Sequence, residues 1–277
     1  MGSASGRAAD QSAAVQLSGE SGAVHAKNVP HVRIGGVRAA LLSRSDLVQR
    51  MLEEAPEIQR ARGRARLVFD VNGHAISMAA QDAQFKAALE IADIVHADGG
   101  VIVAASRLIS GGGIPDRSAT TDLYDDCLHP AAMHGVSLFL LGGRPGVAQT
   151  CATLSKARAP GLNIVGTRHG YFCDAEEAAI VDEINAAQPD VLWVGLGKPK
   201  EQAFCLRHKD KLRCGWLVTC GGLFNYVTGD YPRAPRWMQR SGLEWVHRLA
   251  TNPRHLLWRY LTTNPHALWL IATRTGY

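Results

Sequence analysis

Apolar runs typical of strands alternate with segments of helical periodicity through most of this chain, and this alternation constrains the fold more than any other feature. The strand-like runs lie at 66–71, 94–97, 136–141, 163–166, 190–195 and 215–220. Apolar residues at helical spacing mark intervening segments, such as 73–92, 147–158, 174–187 and 200–207. Strands that alternate with helices predict an α/β fold, in which a largely parallel open sheet carries helices on both faces.

The two ends of the chain differ from this middle region. Residues 1–30 are rich in Gly, Ala and Ser and lack a compact apolar stretch, so we expect a disordered segment and not a secretory signal. The α/β core is expected over 31–230, starting with a strand–turn–strand pattern near 32–37 and a helix over 45–59. From about Tyr231 the strand patterns stop and arginine, tryptophan and proline become frequent. We therefore expect a C-terminal appendage of short helices over 231–277, basic and aromatic-rich.

Composition narrows the classes of function. The net charge of +5 weakly favours anionic partners, namely nucleic acid, anionic lipid or phosphorylated substrates. The six cysteines form no C-x-x-C pair and the eleven histidines no H-x-x-x-H pair. We therefore expect reduced thiols, a cytoplasmic location, no cofactor and no metal site. No run of about 20 apolar residues, the length needed to span a bilayer, occurs in the sequence.

The candidate functional residues follow the ends of the predicted strands. Asp98 follows 94–97, the turn Gly142-Gly143-Arg144 follows 136–141, and Gly197 follows 190–195. In an open α/β sheet the loops at the carboxyl ends of the strands converge on one crevice, where ligands bind. A carboxylate and glycine-lined turns at this edge predict a general base that faces a phosphorylated substrate.

Each of these residues has a purely structural alternative. Asp98 is either a base that deprotonates a hydroxyl group or a turn former before two glycines. Asn72, at the end of 66–71, either binds substrate or caps the next helix. The turn at Gly142 is either a nucleotide diphosphate site or a tight connection between a strand and a helix.

The appendage allows three interpretations. Its arginine and tryptophan residues could bind lipid headgroups at a membrane surface, bind single-stranded nucleic acid, or form an ordinary helical surface over a core. The residues that carry the membrane hypothesis are apolar or basic, and they are Trp258, Leu261, Leu268, Trp269, Ile271, Arg254 and Arg259.

Taken in order, these motifs resemble the WecG/TagA/CpsF glycosyltransferases, glycosyltransferase family 26. The resemblance covers about 32–268 and rests on Asn72 and a series of short segments. These segments are 97–101, 139–147, 170–172, 194–202, 233–237, 242–245, 248–249, 252–254 and 259–261. Each segment is a weak signal alone, but their combined order and spacing are highly specific.

The resemblance implies an inverting enzyme that moves a sugar from a UDP-sugar to a polyprenyl-diphosphate-linked saccharide, without a metal, at the cytoplasmic membrane face. Asp98 matches the base of the family and Asn72 a polar residue of its pocket. The expected substrate-binding residues are Asn72, Gly142, Gly143, Arg144, Gly197, Glu201 and Gln202. The chain departs from the family pattern near this pocket: Glu201 and Gln202 are exchanged, Asp70 replaces a common Thr, and Thr120 replaces a usual Gly.

In the expected mechanism Asp98 accepts the proton of an acceptor hydroxyl group while that oxygen attacks the anomeric carbon. The departing uridine diphosphate requires positive charge, for which arginines are suited by their bidentate contacts with phosphate. The candidates are Arg233, Arg248 and Arg254. Other expected partners are the lipid-linked acceptor and an anionic membrane surface, so that the protein would be peripheral to the inner face of the cytoplasmic membrane.

Two other functions remain as alternatives at this point. A nucleotide-sugar-modifying enzyme on a Rossmann fold would require a G-x-G-x-x-G fingerprint after its first strand, and the sequence lacks one there. A nucleic-acid-binding protein would use the basic C-terminal segment, although the resemblance implies no nucleic acid. The sequence identifies neither the donor sugar nor the acceptor, the linkage or the polymer. The oligomeric state is also left open, a homo-oligomer included.

Overall fold

The computed structural model describes residues 29–109, 112–240 and 244–276, without the side chains of Arg236, Arg240 and His255. The expectation of disorder for residues 1–30 therefore falls almost entirely outside the described residues. Within them, Pro30 already belongs to the folded part, because its carbonyl oxygen accepts a hydrogen bond of 2.8 Å from the backbone N–H of Leu41.

The described residues form an α/β structure whose elements follow the predicted alternation. The strands are β1 (His31–Ile34), β2 (Val37–Ala40), β3 (Arg66–Val71), β4 (Ile94–Ala97), β5 (Ser137–Gly142), β6 (Asn163–Arg168), β7 (Val191–Gly195) and β8 (Trp216–Thr219). The first helices are α1 (Arg44–Arg60), α2 (Gly73–Gln81), α3 (Ala83–Ile91), α4 (Gly100–Ser106), α5 (Thr120–His134) and α6 (Val147–Arg158). The later helices are α7 (Glu177–Ala187), α8 (Lys200–His208), α9 (Leu223–Thr228), α10 (Arg236–Arg240), α11 (Glu244–Thr251) and α12 (Pro253–Thr273).

Six of the strands form one parallel sheet in the order β4-β3-β8-β7-β5-β6. The first two strands pair separately as an antiparallel hairpin. Because all strands of the large sheet run in the same direction, their carboxyl ends meet along one edge. The loops after β3, β4, β7 and β8 therefore lie next to one another there, which builds the crevice that the sequence predicts.

Apolar side chains cover both faces of this sheet. Alternate residues of β3 show the division: Leu67, Phe69 and Val71 enter a core shared with α2, α3, α7, α8 and α12. Val68 enters the core on the other face, together with α1, α5, α6 and α9. This arrangement confirms the predicted open parallel sheet with helices on both faces and a C-terminal helical appendage.

Two helix predictions need correction. The single helix expected over 73–92 is divided into α2 and α3, because Asp82 adopts an extended backbone and its carboxylate accepts hydrogen bonds from Gln84 N–H and Phe85 N–H. The short helices expected after Tyr231 include α12, which is 21 residues long and contains Pro265. The turn after this proline is held in the core by buried Ala267 and Leu270, so packing outweighs the helix-breaking tendency of proline.

The C-terminal part of the last helix is joined to the body of the protein. It packs against α2, and its residues Ala267, Leu270 and Ile271 belong to the core. Beyond it, Gly276 forms an antiparallel bridge with Arg33 of β1 through two backbone hydrogen bonds of 2.8 and 2.9 Å. Ile271 was expected on a membrane-facing surface, and this expectation is wrong because its side chain is buried.

Candidate active site

The carboxylate of Asp98 lies at the carboxyl end of β4 and is held from two sides. Its Oδ2 atom accepts a hydrogen bond of 3.2 Å from Nδ2 of Asn72, and its Oδ1 atom accepts one of 3.3 Å from the backbone N–H of Thr120. The guanidinium of Arg117 is 3.9 Å from Oδ1 and donates from Nε to the Asp98 carbonyl oxygen at 2.6 Å. The side chain is 18% exposed, so the carboxylate is fixed in direction and still reachable from the crevice.

Asn72 has the capping role, one of the two alternatives that the sequence left open, and it also contacts Asp98. It is the N-cap of α2, where its Oδ1 atom accepts a hydrogen bond of 3.1 Å from Ala75 N–H. Because the cap orients the side chain, the amide nitrogen is free to donate to Asp98. The cap therefore positions the candidate base, while direct contact of Asn72 with substrate stays a prediction.

The charges around Asp98 keep it ionised. Burial raises the pKa of this carboxyl group, but the positive charges of Arg117, Arg248 and Lys198 and the hydrogen bond from Asn72 outweigh burial, and the pKa lies below its ordinary value. A carboxylate with a low pKa accepts a proton only when the reacting hydroxyl becomes acidic during bond formation.

A chain of ion pairs connects this carboxylate to the appendage. Arg117 donates to Oε2 of Glu244 at 2.8 Å, and Arg248 donates to Oε1 of the same carboxylate at 2.5 and 3.1 Å. The guanidinium of Arg248 also lies 5.0 Å from the centre of the Tyr226 ring. Because Glu244 and Arg248 belong to α11, this helix supplies positive charge to the crevice.

A second buried ion pair lies beside Asn72 and Asp98. Oδ2 of Asp70, on β3, is 2.6 Å from Nζ of Lys198 in the loop after β7. Burial lowers the pKa of Lys198, yet the negative charges of Asp70, Glu201 and Asp98 outweigh this and raise it above the ordinary value. The ammonium group is therefore charged at neutral pH.

Glu201 and Gln202 lie beneath the crevice floor. Glu201 is 0% exposed, and its Oε2 atom accepts hydrogen bonds of 3.0 Å from Gly197 N–H and from Gly221 N–H. These bonds join the loops after β7 and β8. Gln202, also buried, donates to Oε1 of Glu201 at 3.4 Å. The geometry gives both residues a positioning role, and their predicted contact with substrate has no support from it.

Burial sets the protonation of Glu201. It raises the pKa of the carboxyl group to about 7, against the lowering effects of Lys198 and of the two backbone N–H donors. Glu201 therefore titrates near neutral pH, unlike Asp98, and the carboxyl groups of Glu201 and Asp98 are in different protonation states over much of the range below pH 7.

The glycine turn after β5 is closely packed. A Cβ atom at Gly142 would collide with the carbonyl oxygen of Gly195, and one at Gly143 would lie 2.8 Å from Cγ1 of Val147. Both glycines also have positive φ values, of 151° and 69°. Packing alone thus requires them, whereas Arg144 is exposed and Gly197 adjoins open space. The predicted diphosphate contact of this turn remains a prediction.

The three arginines expected at the leaving group lie in different places. Arg248 acts on Asp98 directly, since its charge lowers the pKa of that carboxyl group. Arg233 instead pairs with Asp122 and lies 3.8 Å from Asp125, both on α5. Arg254 is exposed in the first turn of α12. Arg248 is therefore the best placed of the three, and the roles of Arg233 and Arg254 stay predictions.

The sequence did not predict that Arg117, Glu244 and the Asp70–Lys198 pair belong to one site. Asp70 offered a signal, because it is an acidic residue inside the otherwise apolar strand β3. Among the residues that the structure describes, no group of three or more His, Cys, Asp or Glu side chains could hold a metal ion. Five of the six cysteines are buried and Cys173 is exposed, all of them free thiols.

Comparison with known families agrees with the fold. The parallel sheet and its carboxylate-bearing crevice define an enzyme of the α/β class. The family model described as "Glycosyl transferase WecG/TagA/CpsF family" matches residues 32–276. The chain belongs to this family, as the resemblance of its motifs predicted, and it is a glycosyltransferase of cell-surface polysaccharide synthesis. Membership of this family argues against the two alternative functions, namely a Rossmann-type nucleotide-sugar-modifying enzyme and a nucleic-acid-binding protein.

Proposed function

We propose that the protein is an inverting hexosyltransferase that moves a sugar from a UDP-sugar to a polyprenyl-diphosphate-linked saccharide. The observation that carries this proposal is the Asp98 carboxylate, which is ionised, directed by Asn72 and Thr120, and close enough to the cationic Arg248 of α11 for that charge to lower its pKa. A base with a fixed cation near it suits a reaction in which a hydroxyl group attacks and a diphosphate leaves.

The reaction is a single in-line displacement. The acceptor oxygen forms a bond to the anomeric carbon as its proton passes to Asp98, and the bond from that carbon to the diphosphate oxygen breaks. Uridine diphosphate leaves with the electron pair of the broken bond. Arg248 supports its developing negative charge, because a fixed cation near a leaving group stabilises the transition state more than the ground state. Arg233 and Arg254 are further candidates for this contact.

We also propose that the appendage rests on an anionic membrane surface at the cytoplasmic face. Large apolar side chains are exposed on it, and they are Trp237, Trp245, Leu257, Trp258, Leu261, Leu268 and Trp269. Tryptophan and arginine together suit the headgroup region of a bilayer. No helix among the described residues is long and apolar enough to cross a membrane.

A donor screen tests the proposed reaction. Purified protein is mixed with a panel of UDP-sugars and a polyprenyl-diphosphate-linked saccharide, and the products are identified by mass and by the configuration of the new linkage. We expect transfer of one hexose with inversion at the anomeric carbon. Retention of configuration, or transfer only from a nucleotide other than UDP, would contradict the proposal.

A further inference from the structure

The Asp70–Lys198 pair keeps hydrogen-bonding capacity that the protein itself does not use. A lysine ammonium has three N–H donors and a carboxylate has two acceptor oxygens. Among the described residues the two side chains make one hydrogen bond, from Nζ of Lys198 to Oδ2 of Asp70. They are 12% and 4% exposed, so both side chains keep a small accessible surface at the carboxyl edge of the sheet.

Two histidines beside the pair have unpaired nitrogen atoms. His96 is opposite Asp70 in the pairing of β4 with β3 and is 2% exposed. Its Nδ1 atom contacts the Ser118 carbonyl oxygen at 2.9 Å, whereas its Nε2 atom is buried without a partner in the described part of the chain. Nδ1 of His74 is likewise buried without a hydrogen-bond partner among the described residues. His74 interacts electrostatically with Lys198 and Asp70. Buried polar atoms are rarely left unpaired, so this cluster is suited to a polar ligand.

The pairing of the strands places the Asp70–Lys198 pair next to Asp98. Asp70 precedes Val71 on β3, and the Val71 carbonyl oxygen accepts a hydrogen bond of 2.9 Å from the backbone N–H of Asp98. Lys198 reaches Asp70 from the loop after β7, and its charge lowers the pKa of the Asp98 carboxyl group. In the proposed in-line displacement the anomeric carbon lies between the acceptor oxygen at Asp98 and the leaving diphosphate oxygen. The donor sugar is therefore also next to Asp98 and within reach of the pair.

We infer that Asp70 and Lys198 together recognise two neighbouring hydroxyl groups of the donor sugar, and that this sugar is an uncharged hexose. One hydroxyl group donates to the free oxygen of Asp70, and the adjacent one accepts from the ammonium group of Lys198. The pair is neutral as a whole, so it offers no surplus positive charge to the carboxylate of a uronic acid. The two arginines near Asp98, Arg117 and Arg248, are balanced by Asp98 and by Glu244, to which both donate. This assignment rests on the proposed function.

The test combines altered protein with altered donor. Removing one partner would leave an unpaired buried charge, whereas replacing a buried ion pair with apolar residues of similar size is often tolerated. The variant is therefore the double substitution Asp70→Leu with Lys198→Met. Its kcat/KM is measured with the preferred UDP-hexose and with analogues that each lack one hydroxyl group. Thermal unfolding and UDP binding establish that the variant is folded with an intact nucleotide site.

We expect wild-type protein to lose roughly 10- to 100-fold in kcat/KM with each of two analogues deoxygenated at adjacent positions, as for other hydrogen bonds to charged groups. In the double variant these two penalties should disappear, while penalties at other positions persist. Equal penalties in both proteins would overturn the inference. So would a preference of the wild type for a UDP-hexuronic acid over the matching hexose.

A measurement on wild-type protein alone keeps the inference testable if the double variant does not fold. A pattern in which no two adjacent hydroxyl groups matter would refute it without any variant. Failure of the proposed function has a different signature, since the wild type would then transfer no sugar from any UDP donor, and that result would remove both proposals together.

Discussion

The functional side chains of the crevice floor are held by partners within the protein, whereas those of the appendage are exposed. At and beneath the floor each carboxyl group is fixed by hydrogen-bond donors: Asp98 by Asn72, Asp70 by Lys198, and Glu201 by two backbone N–H groups. On the appendage, large apolar side chains such as Trp258, 76% exposed, contact mainly solvent. This difference indicates that the floor holds its polar groups in fixed positions, whereas the appendage presents an apolar surface suited to binding a partner outside the chain.

Arg248 lies where the two regions join. It belongs to the appendage, yet it is fixed by Glu244 in the manner of the floor, and Glu244 is in turn fixed by Arg117 of the core. If fixed side chains serve catalysis and exposed ones serve binding, substitutions on the floor should change turnover and those on the exposed face should change membrane binding. Substitutions at Arg248 should change turnover, as those on the floor do.

The largest effect is expected for Asp98→Asn. The amide keeps the size of the side chain but cannot accept the acceptor proton, so kcat should fall by roughly 10²- to 10⁴-fold. Initial rates of sugar transfer measure this, with thermal unfolding as the check on folding. The matched control is Asp126→Asn, which neutralises a carboxylate on the surface of α5, and turnover of Asp98→Asn close to that of this control would end the assignment of the base.

Arg248→Ala should have the next largest effect. Loss of one fixed donor to a developing anion typically costs about 10²- to 10³-fold in kcat, and Arg248→Lys should recover part of it because the charge remains. The same measurement on Arg233→Ala and Arg254→Ala ranks the three arginines. A smaller loss for Arg248→Ala than for Arg254→Ala would show that exposed arginines, and not the anchored one, support the leaving group.

The exposed face is tested by the double substitution Trp258→Ser with Trp269→Ser. Transfer of one large aromatic side chain from water into an apolar environment is favourable by about 2 kcal/mol. Loss of the two tryptophans should therefore weaken binding to anionic vesicles by at least about 10-fold. Flotation measures this binding. Turnover of a short water-soluble acceptor should change much less. Met133→Ser, at an exposed apolar residue of α5, is the control, and equal flotation of both variants would remove the membrane assignment.

The smallest effect concerns stability and involves Glu201. Its pKa in the folded protein is about 7, above the ordinary value of 4.5, so the folded state binds more protons than the unfolded state between these values. The contribution is therefore fully favourable below about pH 4.5 and is lost as the pH rises to about 7. Glu201→Gln should remove this slope. Urea unfolding at several pH values measures it, and parallel pH profiles for both proteins would contradict the assignment.

Local patterns in the sequence predicted the framework well. The strand runs, the crevice and Asp98 at its edge all follow from short segments, because strand ends and their turns are local features. The break at Asp82 was missed since one extended residue hardly disturbs the apolar spacing on either side of it. The continuation of α12 past Pro265 was missed because contacts with α2, far away in sequence, decide it.

The ion pairs of the site that the sequence did not predict also depend on contacts between residues far apart in the chain. Lys198 is 128 residues from Asp70, and Arg117 is 127 residues from Glu244. No spacing rule connects charges over such intervals, so their pairing becomes visible only when the sheet and the appendage are assembled. The sequence did mark Asp70 and the exchanged Glu201 and Gln202 as departures from the family pattern, and all three lie at or beneath the crevice floor.

The bridge between Gly276 and Arg33 has a consequence for how the chain matures during synthesis. A two-stranded hairpin is marginal by itself, and the partner of its outer strand is encoded at the other end of the chain. The bridge to β1 therefore forms only after residue 276 has left the ribosome. Termination of translation before Gly276 would leave the first strand without this closure.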